Sequence, residues 1–504
     1  MLTGLVVAAA LLALLSLPSW LPAAILALRS RIFTASNGAE GLAVPGPLLD
    51  VALFRPLYAH PASSGRSQGA VLSDLFWYWL SPGAEIHQEH LEAGPTYEAV
   101  ARATRSILAI PRQKAEELAT RCIARQLARH PIGAARLARL RDLMMPVWAE
   151  FYYEVVFADT CPAEARELIV ANARDVVTAL KCCGLRHMDR RDALTRYLMA
   201  RLEAGAVHHP LPPQFALRER ALYLQGTFFN TAVVQMSEAM SHLLMVVAQH
   251  TGIQTRLTSG SNSHYLDHVI NETLRVFPLF GISHRITRAD ITLADRIVPR
   301  GTVLCFNHLE YQRSGFADPD RFDPDRWQRH AAHEGSYIPF GVAANRPCPA
   351  SGVANVTMRA ALREMLRHVA LHTSAAHTRS LPNRAPCVIH SRGEPPPARR
   401  LSALLLLLRV RDRWEDVWRS MVQLLLGTYM IWDARRLALC TRHFQRSPDP
   451  GDATGADQLL APPTSCAAHR PRSNVVSIQR PAARACPVER AGARALSDHQ
   501  GSQE

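Results

Sequence analysis

The chain has 504 residues, 48% of them apolar and 20% charged, which is enough to bury a sizeable core and excludes a wholly disordered chain. Its net charge is +14, but the arginines are scattered rather than gathered into one stripe, so no nucleic-acid partner is expected. Only Lys114 and Lys181 are lysines. Ten cysteines are too dilute for a disulfide scaffold, and the absence of any CxxC pair removes zinc ribbons and thioredoxin-type redox motifs. No solenoid repeat, collagen period or heptad run is present.

In chain order, residues 2–28 carry no charge. As a helix they would run about 40 Å, longer than the hydrocarbon core of a bilayer. Pro18 and Pro22 are expected to interrupt that helix and leave a continuous apolar piece of about 24 Å. A cleavable signal peptide is the rival reading, but no basic residue precedes the apolar run. Arg29 and Arg31 follow it directly, which favours a retained single-pass anchor over residues 1–31 with the catalytic domain cytoplasmic.

Val44–Pro47 reads as a stiff turn between the anchor and a globular domain. Residues 70–255 are rich in helix formers, with amphipathic stretches at 96–145 and 162–204. Strand-like pieces are short, at Ile291–Leu293 and Thr302–Phe306. The pattern is mainly α with a minor β component. A composition shift at Glu394–Pro397 marks the expected end of a 45–395 domain. The 396–446 extension follows, with five consecutive leucines and then Val410, Trp414, Val417, Met421 and Leu424 on one helical face. That face either packs back on the domain or lies on acidic lipid or a partner. Residues 447–504 lack periodicity and read as a disordered tail.

Three pieces in order carry chemistry. Glu272-Thr273-Leu274-Arg275 closes a helical stretch from His264 to Val276, and its i,i+3 spacing puts carboxylate and guanidinium on one face. The segment Arg321–Trp327 offers a second arginine, Arg326, in a proline-containing turn. Finally Tyr337-Ile338-Pro339-Phe340-Gly341 leads to Asn345-Arg346-Pro347-Cys348-Pro349. A cysteine in such a loop, with an arginine two residues before it, suits a thiolate metal ligand. Its bland alternative is a buried structural thiol.

In order and spacing these pieces resemble the cytochrome P450 family of heme-thiolate enzymes, over roughly residues 45–395 and most specifically from His264 to Gly352. The resemblance implies a P450-like fold, a buried triad of Glu272, Arg275 and Arg326, and Cys348 as axial ligand of heme b iron. It also implies Arg346 at a heme propionate, Phe340 as the aromatic residue of the cysteine loop, and His284 or Arg285 at a propionate. The His87-Gln88-Glu89-His90 segment offers another propionate contact through His90; it lacks the spacing of the HxxEH zinc motif.

The chain also departs from the family pattern. Phe340 lies eight residues before the cysteine rather than seven, and Ala344 and Ala350 replace the loop glycines. The oxygen-activating helix should be Ala221–His250. One register puts Asn230 and Thr231 at its acid and threonine positions, with Phe228 where glycine is expected; the other puts Val234 and Gln235 there. Residue type favours Asn230 and Thr231. Neither register supplies a carboxylate, and an amide can position water without donating a proton in the same way.

Apolar substrate contacts are expected from the loop before residue 100, from Phe228 and Phe229, and from Leu279–Ile282, each of which could equally be ordinary core. Nothing resembles a dinucleotide loop, a P-loop or an iron–sulfur cysteine set. Electrons from NAD(P)H would therefore arrive through a separate reductase or ferredoxin. The implied activity is a monooxygenase inserting one oxygen atom from O2 into a hydrophobic small molecule, of the kind found in secondary metabolism. The alternatives are a heme-thiolate peroxygenase, an isomerase or dehydratase, or a non-catalytic heme-binding membrane protein.

Overall fold

The computed structural model describes residues 2–37, 41–259, 263–293, 297–329 and 335–446; the 447–504 tail lies outside the described residues. Helix α1, Leu2–Asn37, runs unbroken through Pro18 and Pro22, against the expected interruption. Each proline removes one N–H and crowds one carbonyl. Spaced four apart, the two defects fall on the same side of the helix, and from residue 17 onward half-buried positions recur every turn. Packing along a second helix (α12, below) holds the rest straight.

Strand β1 is Leu42–Val44, followed by α2 (Leu72–Leu80), α3 (Pro95–Leu108) and α4 (Arg112–Arg129). The amphipathic stretch at 96–145 is therefore not one helix. Pro111 stands just before α4, and β2, Arg136–Arg139, precedes α5, Leu140–Phe157. The 162–204 stretch likewise splits into α6, Ala163–Leu180, and α7, Met188–Glu203. Then come α8 (Leu217–Gln249), α9 (Thr251–Thr258) and α10 (Ser263–Val276). Helix α8 is long and apolar enough to cross a membrane, yet its apolar window is 78% buried. It is the core helix of the molecule.

The rest of the chain supplies β3 (Ile282–Ile286), β4 (Ile291–Thr292), β5 (Ile297–Val298), β6 (Val303–Asn307), α11 (Ser351–His368), β7 (Val369–His372) and β8 (Pro386–Ser391). It ends in α12 (Ala398–Leu437) and α13 (Leu439–Arg446). Helix α5 packs on α8 and α4 on α11, with α10 against both α8 and α11. Trp148, Phe151, Tyr152 and Tyr153 of α5 and Phe228 and Phe229 of α8 fill this centre. Burying each such ring contributes about 1.5–3 kcal/mol.

Three small sheets flank the helices. In the first, β6 is central, parallel to β1 (Leu42↔Leu304) and antiparallel to β3 (His284↔Cys305). In the second, β8 lies between β2 and β7, both antiparallel to it. The third pairs β4 with β5.

Helix α12 packs back on this body through Leu408 in the main core, and Asp412 accepts from Ala376 N at 3.0 Å and from Asn383 Nδ2 at 2.8 Å. The apolar face read from the sequence divides: Val417 is buried, whereas Val410, Trp414 and Met421 are exposed.

Candidate active site

The acid–arginine pair at the end of α10 is wholly buried. Glu272 and Arg275 are 0% exposed and Arg326 5%. Glu272 accepts twice from Arg275, at 2.9 Å each, once from Arg326 Nε at 3.0 Å, and from Trp327 Nε1 at 3.1 Å and Asp323 N at 2.9 Å. The two guanidinium groups spend their other donors on backbone carbonyls of Ala317, Pro319 and Arg321. A buried charge with every partner in place is stable, and the network fixes the 317–327 segment onto α10.

From this cluster the hydrogen bonds continue toward the cysteine. Gln312 donates to the carbonyls of Leu274 and Arg275 at 3.3 Å and accepts from Ile338 N at 3.1 Å. Tyr337 donates to Asn271 at 3.2 Å. Gly341, in a left-handed conformation (φ 77°), then turns the chain, and Cys348 N donates to Phe340 O at 3.1 Å. Asn345 Nδ2 reaches the carbonyls of Tyr58 and Ser63. Arg346 is also left-handed, φ 54°, a conformation that sets its side chain beside Tyr97, 4.0 Å away.

Cys348 is half-buried, two residues before the last residue ahead of α11. Burial pushes its thiol up to about 11, while the backbone N–H groups of Ala350 and Ser351 act in the opposite direction. Those N–H groups at a helix start are the groups that stabilise a thiolate once a cation neutralises it.

A cationic pocket lies on the N-terminal side of the loop. Arg66, Arg285, Arg346, His90 and His284 influence one another electrostatically there, and Glu89 is the acid among them, ion-paired to Arg66. Arg285 is 0% exposed. Its Nε and Nη1, like His90 Nδ1 and Arg66 Nε, are buried without a hydrogen-bond partner. Burial and the Arg66 charge lower Arg285 to about 10. Such orphaned donors are costly unless an anion completes them. A heme carries two anionic propionates and its iron accepts a thiolate ligand, so orphaned cationic donors beside a cysteine loop fit that group.

The distal wall comes from α8. Its central segment Gln225–Ala232 is a π-helix, the irregularity that often marks functional sites in long helices. Within the mostly buried stretch 221–248 of this helix, Thr227, Thr231, Val234 and Gln235 remain half-exposed, as does Ala232. The first four recur at three- and four-residue steps and so share one face. Both sequence registers thus meet on this face through Thr231 and Gln235. Asn230 is buried at 4%.

The partner of Thr231 comes from the His87–His90 segment. His87 Nε2 lies 2.7 Å from Thr231 Oγ1, and Glu89 N donates to His87 Nδ1 at 3.2 Å. Because Nδ1 accepts, the ring proton sits on Nε2, where the Thr231 hydroxyl and the Gly226 carbonyl both lie within reach. Gly226 permits this approach, since a Cβ there would stand 3.1 Å from the His87 ring. His87–His90 is a turn after a short 3-10 element, Ala84–Ile86, rather than the helix expected. Its two histidines have diverging settings, His87 at α8 and His90 in the cationic pocket. No sequence signal links positions 144 residues apart.

The other expected contacts divide similarly. Phe228 and Phe229 are 0% exposed core residues, Phe280 is 50% exposed, and Gly281 lies against the Arg379 guanidinium. A cleft of about 440 Å3 lined by Trp77, Glu85, Arg218, Leu222 and His443 lies elsewhere, against α2 and α13, and includes none of the residues around Cys348.

Residues 225–393 match the family model described as Cytochrome P450, a range that takes in the π-helical segment, the buried triad and the cysteine loop. Over this third of its length the chain matches the cytochrome P450 family. Its relatives include a (1S)-1-hydroxy-luvungin A synthase of Citrus sinensis, 39% identical over 94 residues, 18% of this chain and 19% of that protein. A mitochondrial 25-hydroxyvitamin D-1 alpha hydroxylase of Homo sapiens is 28% identical over 211 residues, 36% of this chain and 41% of that one. The matched segments thus span less than half of these relatives. Among solved structures, a variant of cytochrome P450 OleT in complex with arachidonic acid superposes with TM-score 0.54 at 13% identity, covering 65% of this chain and 84% of that one. The retinoic acid-bound cyanobacterial CYP120A1 gives 0.54 at 15% identity, covering 68% and 87%. At such identities the likeness establishes the shared fold.

Proposed function

We propose that this protein is a heme-thiolate monooxygenase acting on a hydrophobic small molecule. The observation that carries the reading is that α10, which bears the buried Glu272 cluster, is hydrogen-bonded through Gln312 and Tyr337 to the segment leading into the Cys348 loop. Cys348 would ligate the iron; Arg285, Arg346 and His90 would hold the propionates; and Phe340 would pack within the loop. A thiolate-ligated heme, when bound, supplies the oxygen-activating redox chemistry, the sulfur pushing electron density toward O–O cleavage.

The chain's own residues then have three tasks. Arg285, whose Nε and Nη1 lack partners, and Arg346 would fix the macrocycle's carboxylates. The α8 face, with Thr231, Val234 and Gln235, bounds the space for substrate and excludes bulk water. His87, hydrogen-bonded through Nε2 to Thr231, holds that hydroxyl in place, so that Thr231 can position a water in the cavity; the proton itself comes from solvent through that water. This positioning pair stands where the carboxylate–threonine pair is expected.

Electrons from NAD(P)H would come through a separate ferredoxin or reductase. The apolar α1 would hold the enzyme at a membrane with its domain cytoplasmic. The substrate class within secondary metabolism belongs to the same proposal.

A second reading is a peroxygenase, or an isomerase or dehydratase, working without a reductase. The α8 face favours it by carrying no carboxylate among Thr227, Thr231, Val234 and Gln235. The deciding experiment reconstitutes heme, records the carbon-monoxide complex of the reduced protein, and compares turnover with NADPH plus a reductase against turnover with hydrogen peroxide. A thiolate-type spectrum with reductase-dependent turnover supports the monooxygenase. Peroxide-only turnover supports the second reading. A heme protein with no substrate response in the iron spin state would make it non-catalytic.

A further inference from the structure

Helix α12 has an outward face that the domain leaves bare. Val410, Trp414, Trp418, Met421, Leu425 and Trp432 follow one another at helical spacing over about 33 Å, with Trp418, Leu425 and Trp432 66%, 69% and 59% exposed. The opposite face is tied down throughout. Leu408 enters the main core, Arg139 pairs bidentately with Glu415 at 2.8 and 3.1 Å, and Met430 is buried against α2 and α6 residues. So α12 lies flat on the body and cannot leave it without breaking these contacts.

Its charges are sorted in the same way. Arg399, Arg400, Arg409, Arg411, Arg413 and Arg436 are exposed. The helix's four acids, Asp412, Glu415, Asp416 and Asp433, all have arginine partners. Of the exposed arginines, Arg399, Arg400, Arg409 and Arg413 have no ion-pair partner among the described residues, and an aromatic and aliphatic stripe on a helix with such exposed cations is the surface that anionic lipid headgroups and acyl chains complement.

Helix α1 extends this surface. Arg29 donates to Gln423 at 3.2 Å, Phe33 joins the cluster containing Leu426 and Met430, and Arg435 donates to Ser36 O at 3.0 Å. The two helices therefore run side by side in the same direction. Leu11, Leu12, Leu15 and Trp20 of α1 face outward, each half or more exposed. Residues 5–16 are all exposed, and half-buried positions begin at residue 17, so the part of α1 ahead of the body is residues 2–16. They measure about 22 Å, short of the ~30 Å needed to span the hydrocarbon core.

We infer that α1 and α12 together form an in-plane platform that seats the protein on a bilayer containing anionic lipid, with α12 embedded along its length. The C-terminal extension is then a second lipid-binding element, and α1 need not span.

The test uses the full chain and sedimentation with vesicles of phosphatidylcholine alone or mixed with phosphatidylglycerol. The unaltered protein is expected to bind the anionic vesicles about tenfold more tightly than the neutral ones. A Trp418→Ser, Leu425→Ser, Trp432→Ser variant should lose about 100-fold of that affinity, with circular dichroism and thermal unfolding unchanged because all three are exposed. An Arg409→Glu, Arg413→Glu variant should lose the preference for anionic vesicles alone. Removal of residues 2–16 should leave most of the anionic binding. The inference is overturned if the serine variant binds like the unaltered chain while the 2–16 deletion abolishes binding, which would make α1 a sole anchor. It is equally overturned if that variant keeps its lipid affinity and instead dissociates a dimer on gel filtration, which would make a second copy the occupant.

Discussion

His87 and Thr231 are 144 residues apart in the chain and 2.7 Å apart in the fold, ring nitrogen to hydroxyl. Desolvation holds His87 below the ordinary imidazole range, so near neutral pH it is uncharged, with its Nε2 edge against Thr231. If His87 positions the Thr231 hydroxyl for water-mediated proton transfer, His87→Phe should lower kcat by about 100-fold with little change in KM. His87→Gln, which keeps a donor of similar reach, should recover part of it. The readouts are single-turnover rate and the fraction of reducing equivalents diverted to peroxide, which should rise in His87→Phe and in Thr231→Val.

The Glu272 carboxylate is shared by two buried guanidinium groups, and removing it leaves both unpaired. Glu272→Ala should therefore cost about 3–5 kcal/mol and release the cysteine loop that the network supports through Gln312. Urea unfolding of the heme-free protein measures the first effect, and heme content after reconstitution the second. Gln312→Ala removes only the connection. It should reduce heme retention while costing about 1–3 kcal/mol, the penalty for stranding its hydrogen-bond partners.

How much of this was legible in the sequence follows from the range of each interaction. Glu272 and Arg275 lie one helical turn apart, and Cys348 sits in a loop whose flanking residues are local, so short motifs in order carried the family resemblance that pointed to them. The β6 strand was readable from its apolar run, whereas β2, at Arg136–Arg139, was hidden. Its pairing with β8 spans some 250 residues of sequence, and two of its four side chains are arginine. The His87–Thr231 contact depends on a turn docking against a π-helical segment, and neither has a periodic signature. The prolines of α1 misled because helix disruption was judged locally, while the stabilising surface comes from α12, almost 400 residues away.

Histidine burial sets an acid limit on stability. His284 and His308 are both lowered to about 4, chiefly by desolvation, from an ordinary value of 6.5. A folded-state value below the unfolded one means that the unfolded chain binds more protons between the two, so stability falls as pH drops. Each should remove about 1.4 kcal/mol per pH unit over the window from 6.5 down to about 4. Urea midpoints of the heme-free protein at pH 7.5, 6 and 5 should decline accordingly, and His308→Gln should flatten the slope.

The cationic pocket supplies a prediction with opposite signs for the two forms of the protein. Arg285 is fully buried, contacts the Tyr58 ring at 4.5 Å, donates to Asn345 O at 3.3 Å and leaves two nitrogens orphaned. Without heme its charge is a liability, since the nearby groups are mainly arginines and histidines and Glu89 is already engaged by Arg66. Arg285→Met keeps most of the volume and removes the charge, so the heme-free protein should become more stable by about 1–2 kcal/mol, as when buried ionic groups are replaced by apolar ones. Heme affinity should move the other way, falling about tenfold or more with the loss of a charge-assisted contact to a propionate. Thermal melts of the heme-free protein and transfer of heme to an apo-globin acceptor measure the two effects separately. A variant that loses stability in both forms would show that Arg285 serves the fold alone.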